Sequence, residues 1–173
     1  MRKASKANLY RNEVTEAALQ AVNIAIQKYQ QADFSPLSLR QIETSGDWQP
    51  LMQQSDRQIN WNVDDSATII KKIKSADGFP GIKQKWFDRE LYLFDVHHEP
   101  ELHGKAGEFI GQNETAICIA TTDSAVWIGH LKDKQSSHPF KLPATIVLKD
   151  DIRDLPFIDT KQSIAYQPLR YHS

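Results

Sequence analysis

The strongest constraint on how this chain can fold is a change of hydrophobic period at one point. Before the corner Gly78-Phe79-Pro80-Gly81 the periodic stretches have the three- and four-residue spacing of helices; beyond it they alternate or run in short apolar blocks, as strands do. The corner itself is stiff, because glycine admits positive φ while proline fixes its own φ and cannot continue a helix. It stops a helix and launches a strand. The order of regimes predicts helices first and a β-rich domain after them.

Two helices are expected upstream. In NLYRNEVTEAALQAVNIAIQKYQQ, Leu9, Val14, Ala18, Val22, Ala25, Ile26 and Tyr29 form one apolar face, with Asn8 as candidate N-cap and Glu13 and Glu16 following early. In DSATIIKKIKSAD, Asp65 or Ser66 is the candidate cap and Ile69, Ile70 and Ile73 the buried face. Its lysines crowd the C-terminal end, where the helix dipole favours cations. Gly78 suits the left-handed position past that end. Residues 32–64 between the helices carry Pro36, Gly46 and Pro50 and no sustained period. Leu37, Leu39, Trp48, Leu51, Met52, Ile59 and Trp61 give this connector enough apolar weight to wrap a surface rather than hang free.

Beyond the corner, IKQKWF, ELYLFDVHH, GEFIG, TAICIAT, SAVWIGHLK and ATIVL are short runs rich in β-branched and aromatic residues, separated by turn residues such as Asp88-Arg89, Glu99-Pro100 and Asp123-Ser124. The expected fold is α+β and mainly β: an N-terminal amphipathic helix, a wrapping connector, a second helix, then a small open antiparallel β-barrel. The tail from Lys149, polar and with two prolines, reads as an exit linker.

Composition narrows the function classes. The formal net charge of −1 argues against a dedicated nucleic-acid or membrane surface. Basic residues nevertheless collect in 1–31 (Arg2, Lys3, Lys6, Arg11, Lys28) and in 66–93 (Lys71, Lys72, Lys74, Lys83, Lys85, Arg89), while acidic ones dominate 95–123. The single cysteine, Cys118, lies in an apolar run and reads as a buried thiol. No run is long enough for a membrane span and the N-terminus has no apolar signal core, so the cytoplasm is the expected compartment.

The order of these parts, with NLY opening the first helix, QINW closing the connector, then FPG and GEFIGQNETAICIATTDSAVWIGHLK, resembles the C-terminal part of the formyltetrahydrofolate-dependent formyltransferases. In methionyl-tRNA formyltransferase the matching corner carries a tryptophan where this chain has Phe79, and ends in the same Pro80-Gly81. SADGFPG, AVWIGHLK, FKLPAT and AYQPLRY look closer still to the hydrogenase-maturation HypX/HoxX family, fusions of a formyltransferase half with a crotonase half. The resemblance implies an OB-like formyltransferase C-terminal domain. It divides the chain into 1–31, the last helix of a formyltransferase catalytic domain; 32–64, the connector; 65–148, the barrel with its leading helix; and 149–173, an exit linker toward a crotonase domain. It further implies that the catalytic residues lie outside this segment, that the partners are the formyltransferase and crotonase domains of one polypeptide, and that a formyl group passes from formyltetrahydrofolate to coenzyme A in making the carbon monoxide ligand of nickel-iron hydrogenase. No cofactor is expected on this chain alone.

Candidate chemistry is sparse. Asn8, with Lys6 and Arg11 nearby, could receive an anionic group of coenzyme A or folate at a helix start, and the apolar helix face, short of its native cover, could self-associate. The densest set of potential ligands is HHEPELH, with His97, His98, Glu99, Glu101 and His103. Strand alternation sends His97 and His98 to opposite faces and Pro100 breaks any helix, so no metal site is expected. His130 could pair with Asp123 or Glu108, yet no nucleophile stands beside it, and no catalytic residue is assigned. The alternative reading is a nucleic-acid module for tRNA or single strands, with Trp86, Phe87, Tyr92 and Trp127 as stacking groups and Lys83 and Lys85 on phosphates.

Overall fold

The computed structural model describes residues 6–32, 47–78, 80–136 and 140–159. Two compact units divide the chain, Met1–Asp56 and Arg57–Ser173. In the first, helix α1 (Lys6–Leu9) runs through one π-helical turn (Tyr10–Val14) into α2 (Thr15–Gln30). The π turn has a local cause: the Thr15 hydroxyl donates to the Tyr10 carbonyl at 2.7 Å and the Asn12 amide to the Asn8 carbonyl at 2.8 Å, satisfying acceptors that the wider turn frees. Asn8 therefore sits inside the helix, not at its N-cap as expected. Val14, Leu19, Val22, Ile24, Ile26 and Tyr29 are all exposed. Of the connector, Leu37 and Leu39 lie outside the described residues, Trp48, Leu51 and Met52 are exposed, and α3 (Gln54–Arg57) is a single turn.

The second unit opens with Ile59, buried, and Trp61, packed on the core. Helix α4 (Ser66–Ser75) starts where the sequence placed it: the Asp65 carboxylate accepts from the Thr68 N–H at 2.8 Å, and Ile69 and Ile73 are fully buried. Asp123 adds a second anchor across the fold, accepting from the Ser66 N–H at 2.8 Å and its hydroxyl at 2.9 Å. Among the described residues of the corner, the left-handed one is Gly81 (φ 89) rather than Gly78. A side chain at Gly81 would also run into the Phe94 ring, a second reason for glycine at that position. Phe79 lies outside the described residues.

Strands β1 (Ile82–Trp86), β2 (Arg89–Glu99), β3 (Phe109–Gln112), β4 (Ile117–Ala120), β5 (Ala125–Asp133) and β6 (Leu142–Pro143) pair antiparallel in the order β1-β2-β5-β4-β3, with β6 also on β5. The sheet is open but curled, because Trp86 of β1 and Phe109 of β3, at opposite ends of that order, meet edge-on with ring centroids 5.0 Å apart. One core fills the concave side: Ile69 and Ile73 of α4 against Ile82, Leu91, Leu93, Val96, Ile117, Ile119, Val126, Ile128 and Leu131. ATIVL is not a strand. Pro143, extended at φ −48 and ψ 137, turns the chain into α5 (Ala144–Val147), whose Ala144 is buried in the same core.

The segment read as an exit linker does not run free in its described part. Ile152 is buried, Leu155 packs on the core, and the Gln112 N–H donates to the Pro156 carbonyl while the Ile158 N–H donates back to Gln112, extending the sheet past β3 in parallel.

Midway along β2 and β5 both strands change face together. The core takes Leu91 and Leu93, then Val96, on β2; it takes Leu131, then Ile128 and Val126, on β5, so three residues rather than two separate successive inward side chains. Register is kept, with Phe94 opposite His130 and Val96 opposite Ile128, because the extra step falls on both strands at once. Its centre is Asp95, left-handed at φ 57.

Candidate functional site

That change of face gathers the most chemically capable side chains on the outer side of the sheet. Asp95 Oδ1 lies 2.9 Å from His97 Nε2, and its Oδ2 lies 2.9 Å from His130 Nδ1. Gly129 makes the arrangement possible: any Cβ there would occupy the position of the Asp95 carboxylate. The hydrogen bond from His97, and behind it that from His130, holds the Asp95 carboxyl below the ordinary carboxylate range against the opposing effect of partial burial. Beneath His130, its cross-strand neighbour Phe94 is buried, and the Lys141 ammonium stands 3.9 Å from the ring centroid while donating to the Asp77 carbonyl at 2.6 Å.

The partners foreseen for His130 are engaged elsewhere. Asp123 serves Ser66 and Thr121, and Glu108 accepts from the Lys105 N–H at 3.2 Å. Asp95 escaped sequence reasoning because an aspartate in a strand has no spacing rule that aims it at its neighbours. The only available signal was Asp95 and Gly129, two poor strand formers, inside two strong strand patterns.

The HHEPELH turn disperses its groups. His97 goes to Asp95 and His98 to the Ser124 hydroxyl at 3.1 Å; Glu99 turns into a small second core, where its Oε2 accepts from Trp127 Nε1 at 2.8 Å and its Oε1 from the Glu101 N–H. Among the described residues no three histidine, cysteine or acidic side chains are set to hold one metal ion. Cys118 packs in the same small core, and burial, helped by the Glu99 charge, pushes its thiol up to about 12. It is an inert thiol at neutral pH.

Lys6, Asn8 and Arg11 all lie on the first turns of the N-terminal helix. The Lys6 ammonium stands 5.8 Å from the Tyr10 ring centroid, the Asn8 carbonyl is taken by Asn12, and Arg11 is exposed in the π turn. The aromatic groups proposed for base stacking are mostly structural: Trp127 is buried, and Trp86 is wedged between Trp61 and Phe109. Phe87 is exposed. Lys83 and Lys85 face Glu90 and Asp88 at 3.7 and 3.2 Å, which lowers their availability to phosphates. Among the described residues no helix is long and apolar enough to cross a membrane.

Residues 51–140 match the family of formyl transferase C-terminal domains. The chain is 36% identical over 171 residues to the hydrogenase maturation factor HoxX of Bradyrhizobium diazoefficiens, a match covering 99% of this chain and 30% of that protein. It superposes on the crystal structure of HypX from Aquifex aeolicus in complex with tetrahydrofolic acid with a TM-score of 0.81 and 34% identity, over 98% of this chain and 30% of that one. A substituted variant of the same HypX gives a TM-score of 0.83, also at 34% identity, over 96% of this chain and 29% of the variant. The chain thus spans about 30% of the length of these relatives.

Proposed function

The chain belongs to the formyl transferase C-terminal domain family, and from that premise we propose that it works as the barrel of a HypX-like formyltransferase in nickel-iron hydrogenase maturation. In this role it carries no formyl-transfer residues of its own. It helps enclose the site where a formyl group passes from formyltetrahydrofolate to an acceptor, coenzyme A, on the way to the carbon monoxide ligand. The observation that carries the reading is the extent of the likeness to HoxX, which includes the first helix and the exit segment as well as the barrel. The tetrahydrofolate bound by the Aquifex relative supports the choice of donor.

The domain division follows from the same reading: 1–31 completes a catalytic domain, 32–64 connects, 65–148 is the barrel with its helix, and 149–173 leads toward a crotonase domain. The exposed stripe Val14, Val22, Ile26 and Tyr29 then serves as an interdomain surface, and Lys6, Asn8 and Arg11 as an anion-receiving start of that helix for coenzyme A or folate. The chain incubated with formyltetrahydrofolate and coenzyme A should yield no formyl-CoA above background. A HypX formyltransferase domain supplied in trans should bind it in calorimetry, with Val22→Asp abolishing the heat. Turnover by the chain alone, or no affinity in trans, overturns the proposal.

A further inference from the structure

We propose that His130, backed by Asp95, is a nucleophilic imidazole on the outer face of β2 and β5 that accepts an acyl group from an activated ester. The inference goes beyond the formyltransferase reading and does not depend on it. Two costly backbone features place the Asp95 carboxylate: a left-handed φ at a residue other than glycine, and a glycine opposite it with no room for a side chain. Strain of this kind persists only where the surroundings enforce it, and it is concentrated at functional sites. Here it adds nothing to the apolar core, since Asp95 faces away from it. What it does is aim one carboxylate at two imidazoles.

A charged carboxylate only accepts hydrogen bonds. In its neutral form His130 therefore carries its proton on Nδ1, which leaves the lone pair on Nε2. The carboxylate fixes the ring's tautomer and orientation and raises the electron density at the far nitrogen, as it does behind metal-bound and catalytic histidines. His97 occupies the other oxygen and stops the carboxylate from rotating away; it is a positioning residue. The His130 side chain is 35% exposed, so the ring is partly open to solvent. In the reaction the Nε2 lone pair forms a bond to the acyl carbon, the bond from that carbon to the leaving oxygen breaks, and the leaving group departs with its electron pair as a phenolate. The Nδ1 proton stays in its bond to Asp95, whose charge offsets the cationic acyl-imidazole. Water then adds to the acyl carbon and gives up one proton to solvent, the nitrogen–carbon bond breaks, the carboxylic acid leaves and the Nε2 lone pair is restored.

The test uses the full 173-residue chain with p-nitrophenyl acetate, following phenolate release, and with diethyl pyrocarbonate, mapping modified histidines by mass spectrometry. His130 should be modified fastest, and His130→Gln should lose the phenolate release above that of free imidazole groups. Asp95→Asn, which suits a left-handed φ, replaces a charge-assisted hydrogen bond by a neutral one and should slow His130 roughly fivefold. His97→Gln keeps a donor for Asp95 and should react as the parent does, whereas His97→Ala should be slower. Nitrogen NMR of the unaltered chain should find the proton of His130 on Nδ1. A proton on Nε2, a His130 no faster than His103, or an Asp95→Asn variant with parental rate and parental circular dichroism overturns the proposal.

Discussion

At the scale of single residues, two positions decide more than their size suggests. Gly129 exists to make room for Asp95, so Gly129→Ala is expected to destabilise by about 1–3 kcal/mol, the range for forcing atoms into a filled site. Adding Asp95→Gly removes the obstacle and should recover most of that loss; urea unfolding of both single variants and the double variant gives the coupling. Asp123 is the second position. Its hydrogen bond from the Ser66 N–H, and further ones from Thr121 and the Ser66 hydroxyl, bring its carboxyl down to about 2. A lowered folded value means that the ionised carboxylate favours the native state above its unfolded value of about 4, and that this contribution fades as pH falls toward about 2. Asp123→Asn should therefore be less stable at neutral pH and show a shallower loss of melting temperature across that acid window.

At the scale of elements, the two main helices have opposite dependence on tertiary packing. α4 buries Ile69 and Ile73 completely, and Ile73→Ala is expected to cost about 2–5 kcal/mol of unfolding free energy. α2 leaves its large apolar side chains exposed, and Ile24→Ala should change stability by no more than about 0.5 kcal/mol. Thermal unfolding of the two variants separates these outcomes. Capping explains why α4 was legible and the N-terminal helix only partly so. Asp65 is a cap through a bond to its own helix three residues on, which spacing foretells. Asn8 fails as a cap because the helix already includes Lys6, and the π turn depends on Thr15 reaching Tyr10, a bond no hydrophobic pattern encodes.

At the scale of the whole molecule, the barrel is completed by a segment whose composition suggested a linker. Ile152 is buried, and Gln112 Nε2 donates to the Ile152 and Leu155 carbonyls at 3.0 Å each, so 149–159 straps the edge of β3. Burying an isoleucine contributes about 1.5–3 kcal/mol, and Ile152→Asp is expected to lower the melting temperature clearly while Lys149→Asp leaves it near the parent value. Differential scanning calorimetry distinguishes the two. Equal melting temperatures would mean that the strap is not part of the folding unit.

The sequence by itself determined the class of fold, the order and type of nearly every strand, the buried face of α4 and its cap to within Asp65 or Ser66, and the family, because those follow from periodicity, turn chemistry and contiguous motifs, all local in the chain. Only the tertiary structure decided that Gly81 rather than Gly78 turns left-handed under Phe94, that ATIVL yields a helical turn instead of a strand, and that Asp95 rather than Asp123 or Glu108 meets His130. The lack of room at Gly81 and the partner of His130 are settled by neighbours distant in sequence, Phe94 and Asp95. Asp95 and His130 are brought together by strand register and by a face change on two strands at once, and neither leaves a mark in a period of two.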